Sequence, residues 1–151
     1  FTFVTDELAS KLRQADKNDL LIATTSENDE DVCKPLAWMG GKTAISGDMM
    51  IFRHCENVKY LAYYFQTAMF QADKKRKITG TKVRRVSSAD LSNLTIPLPP
   101  LKQQNKIVKI LDKFQILTED VSGLLPEEIA LRQKQYAYYR QQLLNFKHTK
   151  K

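Results

Sequence analysis

The chain has 151 residues, of which 42% are hydrophobic and 27% charged, the balance of an ordinary globular protein rather than of a disordered or fibrous one. Its formal net charge is +7, from 24 Lys and Arg residues against 17 Asp and Glu residues. The longest apolar runs, Leu20–Ala23 and Met49–Phe52, fall far short of the roughly 18 residues of a membrane-spanning helix, so we expect no membrane contact.

The first half of the chain predicts short elements separated by Gly-rich or acidic turns. A helix over 5–15 begins at Thr5, whose hydroxyl is a good N-cap. An apolar run over 19–24 predicts a buried strand, which an acidic loop follows. Further short strands, punctuated by glycines, are predicted at 34–39, 43–46 and 48–53.

The middle of the chain predicts one longer helix. Asn57 is placed to cap a helix that runs to about residue 73, with one apolar face formed by Leu61, Phe65, Ala68, Met69 and Ala72. Its aromatic side chains could stack on nucleic-acid bases, but their helical spacing favours packing in a core.

A basic segment over 74–85 follows that helix. It holds seven Lys and Arg residues and no acid, whereas the rest of the chain is neutral. A neutral body with one basic strip is typical of a polyanion-binding protein, although such a run can also be a solvated loop. Small residues among the bases suit close approach to phosphates. The predicted DNA-binding residues are Lys74, Lys75, Arg76, Lys77, Thr79, Gly80, Thr81, Lys82, Arg84 and Arg85, with Lys42 and Thr43 of another Gly-rich turn as weaker candidates.

The composition changes after the basic segment. Ser87 to Asp90 have the pattern of a helix cap, and 93–98 predicts a last strand before a proline cluster ends regular structure. We place a domain boundary near Leu98. The predicted fold class is α+β, with a mixed α/β domain over 1–98, a coiled-coil-like helical region over 99–147 and a basic tail over 148–151.

The helical region carries two apolar seams whose registers differ, the first formed by Ile107, Ile110, Phe114, Leu117, Val121 and Leu124. Gly123 and Pro126 sit where the register slips, and these residues suit a helix end and the first turn of the next helix. The pattern predicts two helices with a tight break. We expect the second seam to be an interaction surface formed by Ile129, Tyr136, Tyr139, Leu143 and Phe146.

Catalytic and metal-binding patterns are weak. The run Gly40–Thr43 ends like a phosphate-binding loop, but the first glycine of that motif would fall at Leu36. Two histidines, His54 and His148, leave a Ser or Cys nucleophile with almost no available base. Cys33 and Cys55 form no Cys-x-x-Cys pair, so we expect free thiols in a reducing compartment, which indicates the cytoplasm. The sequence indicates a binding protein with no metal site.

Two stretches together resemble a known family. The sequence Ile-Pro-Leu-Pro-Pro-Leu-Lys-Gln-Gln-Asn-Lys-Ile-Val at 96–108 is similar to the proline-rich start of the conserved region in specificity subunits of type I restriction–modification systems. Residues 125–140 and 143–146 resemble the helix that closes that region. Upstream, 19–23 and the Gly80-Thr81 pair match the looser pattern of the family's target recognition domain. The strong match covers about the last third of the chain.

The resemblance implies a non-catalytic subunit whose target recognition domain reads half of a split site in double-stranded DNA. Its helices would act as a spacer, dock the methyltransferase subunit and, in a half subunit, pair with a second copy. The complex also recruits an endonuclease subunit, and S-adenosylmethionine, ATP and Mg²⁺ would belong to the partner subunits. A full subunit has two recognition domains and two conserved regions. This chain has one of each, and we expect it to begin inside the recognition domain.

Two other functions remain open from the residues alone. A stand-alone nucleic-acid-binding regulator would bind an operator without any methyltransferase, although the sequence has no convincing helix-turn-helix. A small enzyme that uses the Gly40–Thr43 loop would bind a nucleotide, which a thermal-shift assay with ATP would detect.

Overall fold

The structure, a computed structural model, describes residues 5–119 and 126–146. The chain divides into two compact units, Phe1–Thr95 and Ile96–Lys151, whereas the sequence pattern placed a boundary near Leu98. The first unit contains α1 (Asp6–Lys11), β1 (Gln14–Ala15), β2 (Leu20–Ala23), β3 (Thr25–Ser26), β4 (Pro35–Ala37), β5 (Thr43–Ala44), β6 (Met49–Phe52), α2 (Val58–Phe65), α3 (Ala68–Lys75), β7 (Arg84–Arg85) and α4 (Ser88–Ser92). The second contains α5 (Leu101–Glu119) and α6 (Pro126–Leu144). Helices and small antiparallel sheets confirm the predicted α+β class.

The core of the first unit is a three-stranded antiparallel sheet in the order β4-β2-β6. The central strand β2 is buried, as its apolar run predicts. Leu21 faces one side, where it packs with Ala15 and Ile45. Because side chains alternate along a strand, Leu20 and Ile22 face the other side, which α2 covers. Two smaller ribbons, β1–β5 and β3–β7, flank this sheet.

The first helix is shorter than the predicted range of 5–15. Thr5 caps it as expected, with its hydroxyl accepting a hydrogen bond from the N–H of Leu8. The helix ends at Lys11 because Gln14 and Ala15 pair instead with β5. Ala15 becomes fully buried in that ribbon, and this burial outweighs the gain from one more helical turn.

The single helix predicted from Asn57 to about residue 73 is wrong, because two helices occupy this range. Asn57 caps α2, but Thr67 then caps α3. The Thr67 hydroxyl donates to the carbonyl of Tyr64 at 2.7 Å and accepts from the N–H of Phe70 at 3.3 Å. These side-chain hydrogen bonds compete with the backbone hydrogen bonds of a continuous helix, so α2 ends and α3 begins at this point. Ala68 and Ala72 of the predicted apolar face are consequently exposed.

The strand predicted over 93–98 is also wrong. Ser87 caps α4 as expected, accepting from the N–H of Asp90 at 3.0 Å. After α4 the N–H groups of Asn93 and Leu94 bond back to carbonyls of that helix, which continues its last turn. Pro97, Pro99 and Pro100 have no N–H to donate to a sheet.

The second unit is built from α5 and α6, which pack on each other. The start of α5 is anchored by Gln104, a fully buried residue whose amide donates to the carbonyl of Pro99 at 2.8 Å. The Phe114 and Tyr139 rings stack with centroids 5.0 Å apart, so part of the second seam packs against the first.

Two helices are present as predicted, and Pro126 starts the second. The predicted break at Gly123 lies outside the described residues, as does the basic tail over 148–151. Across residues 5–119 and 126–146, none of the helices has the length and apolarity needed to cross a membrane.

Candidate nucleic-acid interface

The basic segment runs from the end of α3, through a tight turn, to β7. Thr79 and Arg85 close that turn by exchanging both backbone hydrogen bonds at 2.9 Å. Gly80 lies inside it with a φ of +88°, and a Cβ at this position would meet the carbonyl oxygen of Val83 at 2.1 Å. Glycine is therefore required here, and the turn presents the exposed residues Thr81 and Lys82 at the surface.

Lys74 does not belong to this surface, which corrects its prediction as a DNA-binding residue. Its side chain is 1% exposed, and its ammonium donates to the carbonyls of Asp29, Glu30 and Val32 at 2.7, 3.2 and 2.9 Å. Burial lowers the pKa of Lys74, and the neighbouring acidic groups oppose that shift. The nearby Cys33 thiol is buried as well, which raises its pKa to about 11. Lys74 thus holds the acidic loop over 29–32 in place and cannot reach a phosphate.

Three further cations of the segment are engaged in ion pairs. Arg84 Nε lies 3.0 Å from a carboxylate oxygen of Asp29, and its guanidinium also donates to the carbonyl of Gly80 at 2.6 Å. Arg76 pairs with Asp73 at 3.3 Å. Lys77 lies 3.9 Å from the carboxylate of Asp90, near the limit of an ion pair. These pairs are partly exposed, so they only partly neutralise the surface.

Four predicted cations are exposed and have no hydrogen-bond or ion-pair partner for their side chains within residues 5–119 and 126–146. Two of them, Lys82 and Arg85, lie on the turn and on β7, and Lys75 ends α3. The fourth, Lys42, lies in the turn before β5. Unpaired exposed cations are attracted to the negative charge of DNA, so these four residues are the best candidates for contacts with DNA.

Lys42 and Thr43 belong to a different ribbon from the basic segment. Thr43 pairs with Ala15 in the β1–β5 ribbon, and the preceding turn is shaped by the Trp38 indole N–H, which donates to the carbonyl of Gly41 at 2.7 Å. A phosphate-binding loop needs its Lys-Thr pair at the start of a helix, whereas Thr43 begins a strand. This turn therefore does not form a nucleotide site of that kind.

Two acidic residues take part in this surface that the sequence did not indicate. Asp29 fixes the orientation of Arg84, as described above. Asp48 shares a cleft with Thr79 and Arg85. The Gly47-Asp48 turn between two predicted strands was a visible signal, but only the pairing of β3 with β7 brings that turn close to the basic segment.

The second seam is partly used inside its own unit. The Phe114 ring covers one face of Tyr139, which is 38% exposed. The other members of the seam are half-buried, namely Ile129, Tyr136, Leu143 and Phe146. A different set of apolar side chains on the two helices remains exposed, namely Ile110, Ile116, Leu117, Leu131 and Tyr138. Monomeric proteins seldom leave so many apolar side chains uncovered on two neighbouring helices.

Comparison with known proteins places the chain in a family. The family described as Type I restriction modification DNA specificity domain matches residues 7–131. The chain belongs to this DNA specificity family.

Among curated relatives, the EcoR124I/EcoR124II specificity subunit of a type I restriction enzyme from Escherichia coli is 34% identical over 148 residues, or 95% of this chain. The EcoprrI specificity subunit from Escherichia coli is 36% identical over 104 residues, or 64% of this chain and 25% of that subunit. The MpnII specificity subunit of Mycoplasma pneumoniae is 37% identical over 62 residues, or 41% of this chain and 19% of that subunit. The chain spans 36% of the length of the EcoR124I/EcoR124II subunit.

Proposed function

We propose that this chain is a sequence-specific DNA-binding specificity subunit, or part of one, that reads half of a bipartite target and docks a methyltransferase subunit. The observation that carries the proposal is the family match over residues 7–131, which covers most of the first compact unit and extends into the second. The cluster of unpaired cations around the β3–β7 ribbon supports a DNA surface on the first unit.

The second unit supports the docking role. Its exposed apolar side chains lie on α5 and α6, the helices that follow the Pro-Leu-Pro-Pro sequence. In the proposed complex these helices set the distance between two DNA-reading domains, bind the methyltransferase subunit and can pair with a second copy of this chain. An endonuclease subunit joins the same complex.

The proposed subunit has no catalytic activity of its own. S-adenosylmethionine serves the methyltransferase subunit, and ATP and Mg²⁺ serve the endonuclease subunit, so this chain needs no cofactor. We place the complex in the cytoplasm, since both Cys33 and Cys55 are free thiols, as the sequence predicts.

The experiment that tests the proposal is methylation by the reconstituted complex. The chain is purified alone, and again with the methyltransferase subunit of its own type I system, and each sample receives genomic DNA and S-adenosylmethionine. We expect methylated adenines at one bipartite sequence with the complex and no methylation with the chain alone. Methyl transfer by the chain alone, or failure of the methyltransferase to bind it, would contradict the proposal.

The same preparations separate the alternative functions. A stand-alone regulator would bind a specific operator without the methyltransferase and would gain no specificity from it. The strand position of Thr43 already argues against an enzyme built on the Gly40–Thr43 loop.

A further inference from the structure

A cleft of about 410 Å³ opens in the first unit, beside the turn that carries the free cations. One wall is formed by the Gly47-Asp48 turn that precedes β6. The other is formed by the β3–β7 ribbon, with Thr25 and Arg85 as paired neighbours and Thr79 next to them. The cleft thus lies where three separate segments of the chain meet.

Hydrogen bonds to backbone carbonyls fix both walls. The N–H and the hydroxyl of Thr24 each donate to the carbonyl of Asp48 at 2.9 Å. On the far side of this turn, the Arg13 guanidinium donates to the carbonyl of Gly47 at 2.8 Å. The opposite wall is held by the two hydrogen bonds between Thr79 and Arg85. Walls held in this way lose little conformational entropy when a ligand enters.

The two charged side chains of the cleft are both available to a ligand. The Asp48 carboxylate and the Arg85 guanidinium are exposed, and within the described part of the chain neither side chain has a hydrogen-bond or ion-pair partner, including each other. A phosphate in this cleft would be attracted by Arg85 but repelled by Asp48. The edge of a base pair carries both acceptors and donors, so it can bond to Arg85 and Asp48 at the same time without repulsion.

We infer that this cleft reads the major-groove edge of a G·C base pair, an inference that rests on the proposed function. Guanine presents two acceptors, N7 and O6, which match the forked donors of Arg85. Cytosine presents one donor, its N4 amino group, which matches the Asp48 carboxylate. An A·T pair offers Arg85 a weaker match because its adenine edge carries an acceptor beside a donor. The Thr79 hydroxyl donates to the carbonyl of Arg85 at 3.3 Å, so the Thr25 hydroxyl is the one that bonds to the flanking base edge or backbone.

The test is a binding selection from a library of duplexes with randomised sequence, sequenced before and after binding. The protein is the complex of the full-length chain with its methyltransferase subunit. We expect one strongly preferred G·C pair in the half-site read by this domain. The substitutions Arg85→Gln and Asp48→Asn should each lower that preference about tenfold and leave the other positions unchanged.

Matched variants outside the cleft are the controls. Lys82→Gln removes an exposed cation of the same turn and should weaken binding to all sequences alike, while Glu27→Gln removes an exposed acid and should leave the base preferences unchanged. If Arg85→Gln and Asp48→Asn leave the base preferences intact, the cleft does not read bases, although the proposed function stands. If the wild-type complex selects no sequence, both the inference and the proposed function are wrong.

Discussion

Neighbouring lysines of the basic segment have different environments despite their similar place in the sequence. Lys74 donates to three backbone carbonyls and is buried, whereas Lys75 is exposed at the end of α3. Changing Lys74→Met would leave these carbonyls without their donor. A buried polar group without a partner costs about 1–3 kcal/mol. We expect Lys74→Met to lower the free energy of unfolding by at least this amount in urea denaturation.

The matched control for that variant is Lys75→Met, which removes the same charge from the surface. Its effect on unfolding should stay within about 0.5 kcal/mol, because it breaks no contact. Equal stability of the two variants would show that the Lys74 ammonium does not hold the acidic loop. The pair of variants thus separates a structural lysine from a surface lysine.

Gly80 is the residue on which the shape of the basic turn depends. A Cβ at this position would overlap the carbonyl of Val83, and the positive φ disfavours any other residue. We expect Gly80→Ala to reduce DNA affinity about tenfold or more, because the turn that carries Lys82 must move. Gly41→Ala is the control, since a Cβ there meets no atom within 4 Å. Fluorescence anisotropy with a duplex that contains the target would measure both, and equal affinities would contradict the role of this turn.

At the scale of elements, the sequence predicted the strands β2, β4, β5 and β6 but missed β1, β3 and β7, and the strand that it predicted over 93–98 is wrong. The apolar run of β2 and the turn glycines around β4, β5 and β6 located all four strands to within two residues or so, because a buried strand and a Gly turn each leave a local signal. The residue at which a helix ends depends on whether its backbone groups bond within the helix or to a nearby side chain. The hydroxyl of Thr67 interrupts the apolar pattern that runs from Leu61 to Ala72, and residue spacing alone does not reveal such a cap.

The cap at Thr67 can be tested directly. Thr67→Ala removes the acceptor for the N–H of Phe70 and the donor to the carbonyl of Tyr64. We expect the free energy of unfolding to fall by about 1–2 kcal/mol, since Thr67 is buried and N-cap losses have this size. Thr81→Ala, at an exposed position, is the control and should be neutral. If thermal unfolding gives equal midpoints for both variants, α2 and α3 do not depend on this cap.

In the candidate site, too, the sequence predicts what each residue carries by itself but not the contacts between residues that are distant along the chain. The basic segment was visible in the sequence because charge is a property of each residue. The sequence does not show which of these cations are buried, paired or free. That depends on contacts that form only on folding, namely those of Lys74 with the loop over 29–32 and of Arg84 with Asp29. The place of Asp48 in the cleft likewise depends on the pairing of β3 with β7.

At the scale of the whole molecule, the number of free cations sets the salt dependence of DNA binding. In the proposed DNA complex Arg85 contacts a base and Lys42, Lys75 and Lys82 contact phosphates. The logarithm of the association constant should therefore fall with the logarithm of salt concentration at a slope of about −3. The double variant Lys75→Ala/Lys82→Ala should flatten this slope by about 2. Lys74→Met should leave it unchanged as long as the domain is folded. A slope that responds to Lys74 but not to Lys75 and Lys82 would place the DNA elsewhere.

In the proposed complex, assembly through the second unit depends on the apolar side chains that α5 and α6 leave uncovered. Ile116, Leu131 and Tyr138 are 60%, 67% and 60% exposed, so their replacement removes little packing within the pair of helices. Tyr138 loses an edge-on contact with the Tyr139 ring, whose centroid lies 5.5 Å from its own. Each of the three side chains contributes about 1.5–3 kcal/mol when a partner buries it completely. We therefore expect the triple variant Ile116→Ser/Leu131→Ser/Tyr138→Ser to keep its helical circular dichroism but to lose the methyltransferase subunit in sedimentation velocity. The single variant Tyr139→Ser is the contrasting case, because it breaks the stack on Phe114 and should lower the helical signal itself. A triple variant that still sediments with the methyltransferase would show that this face is not the docking surface.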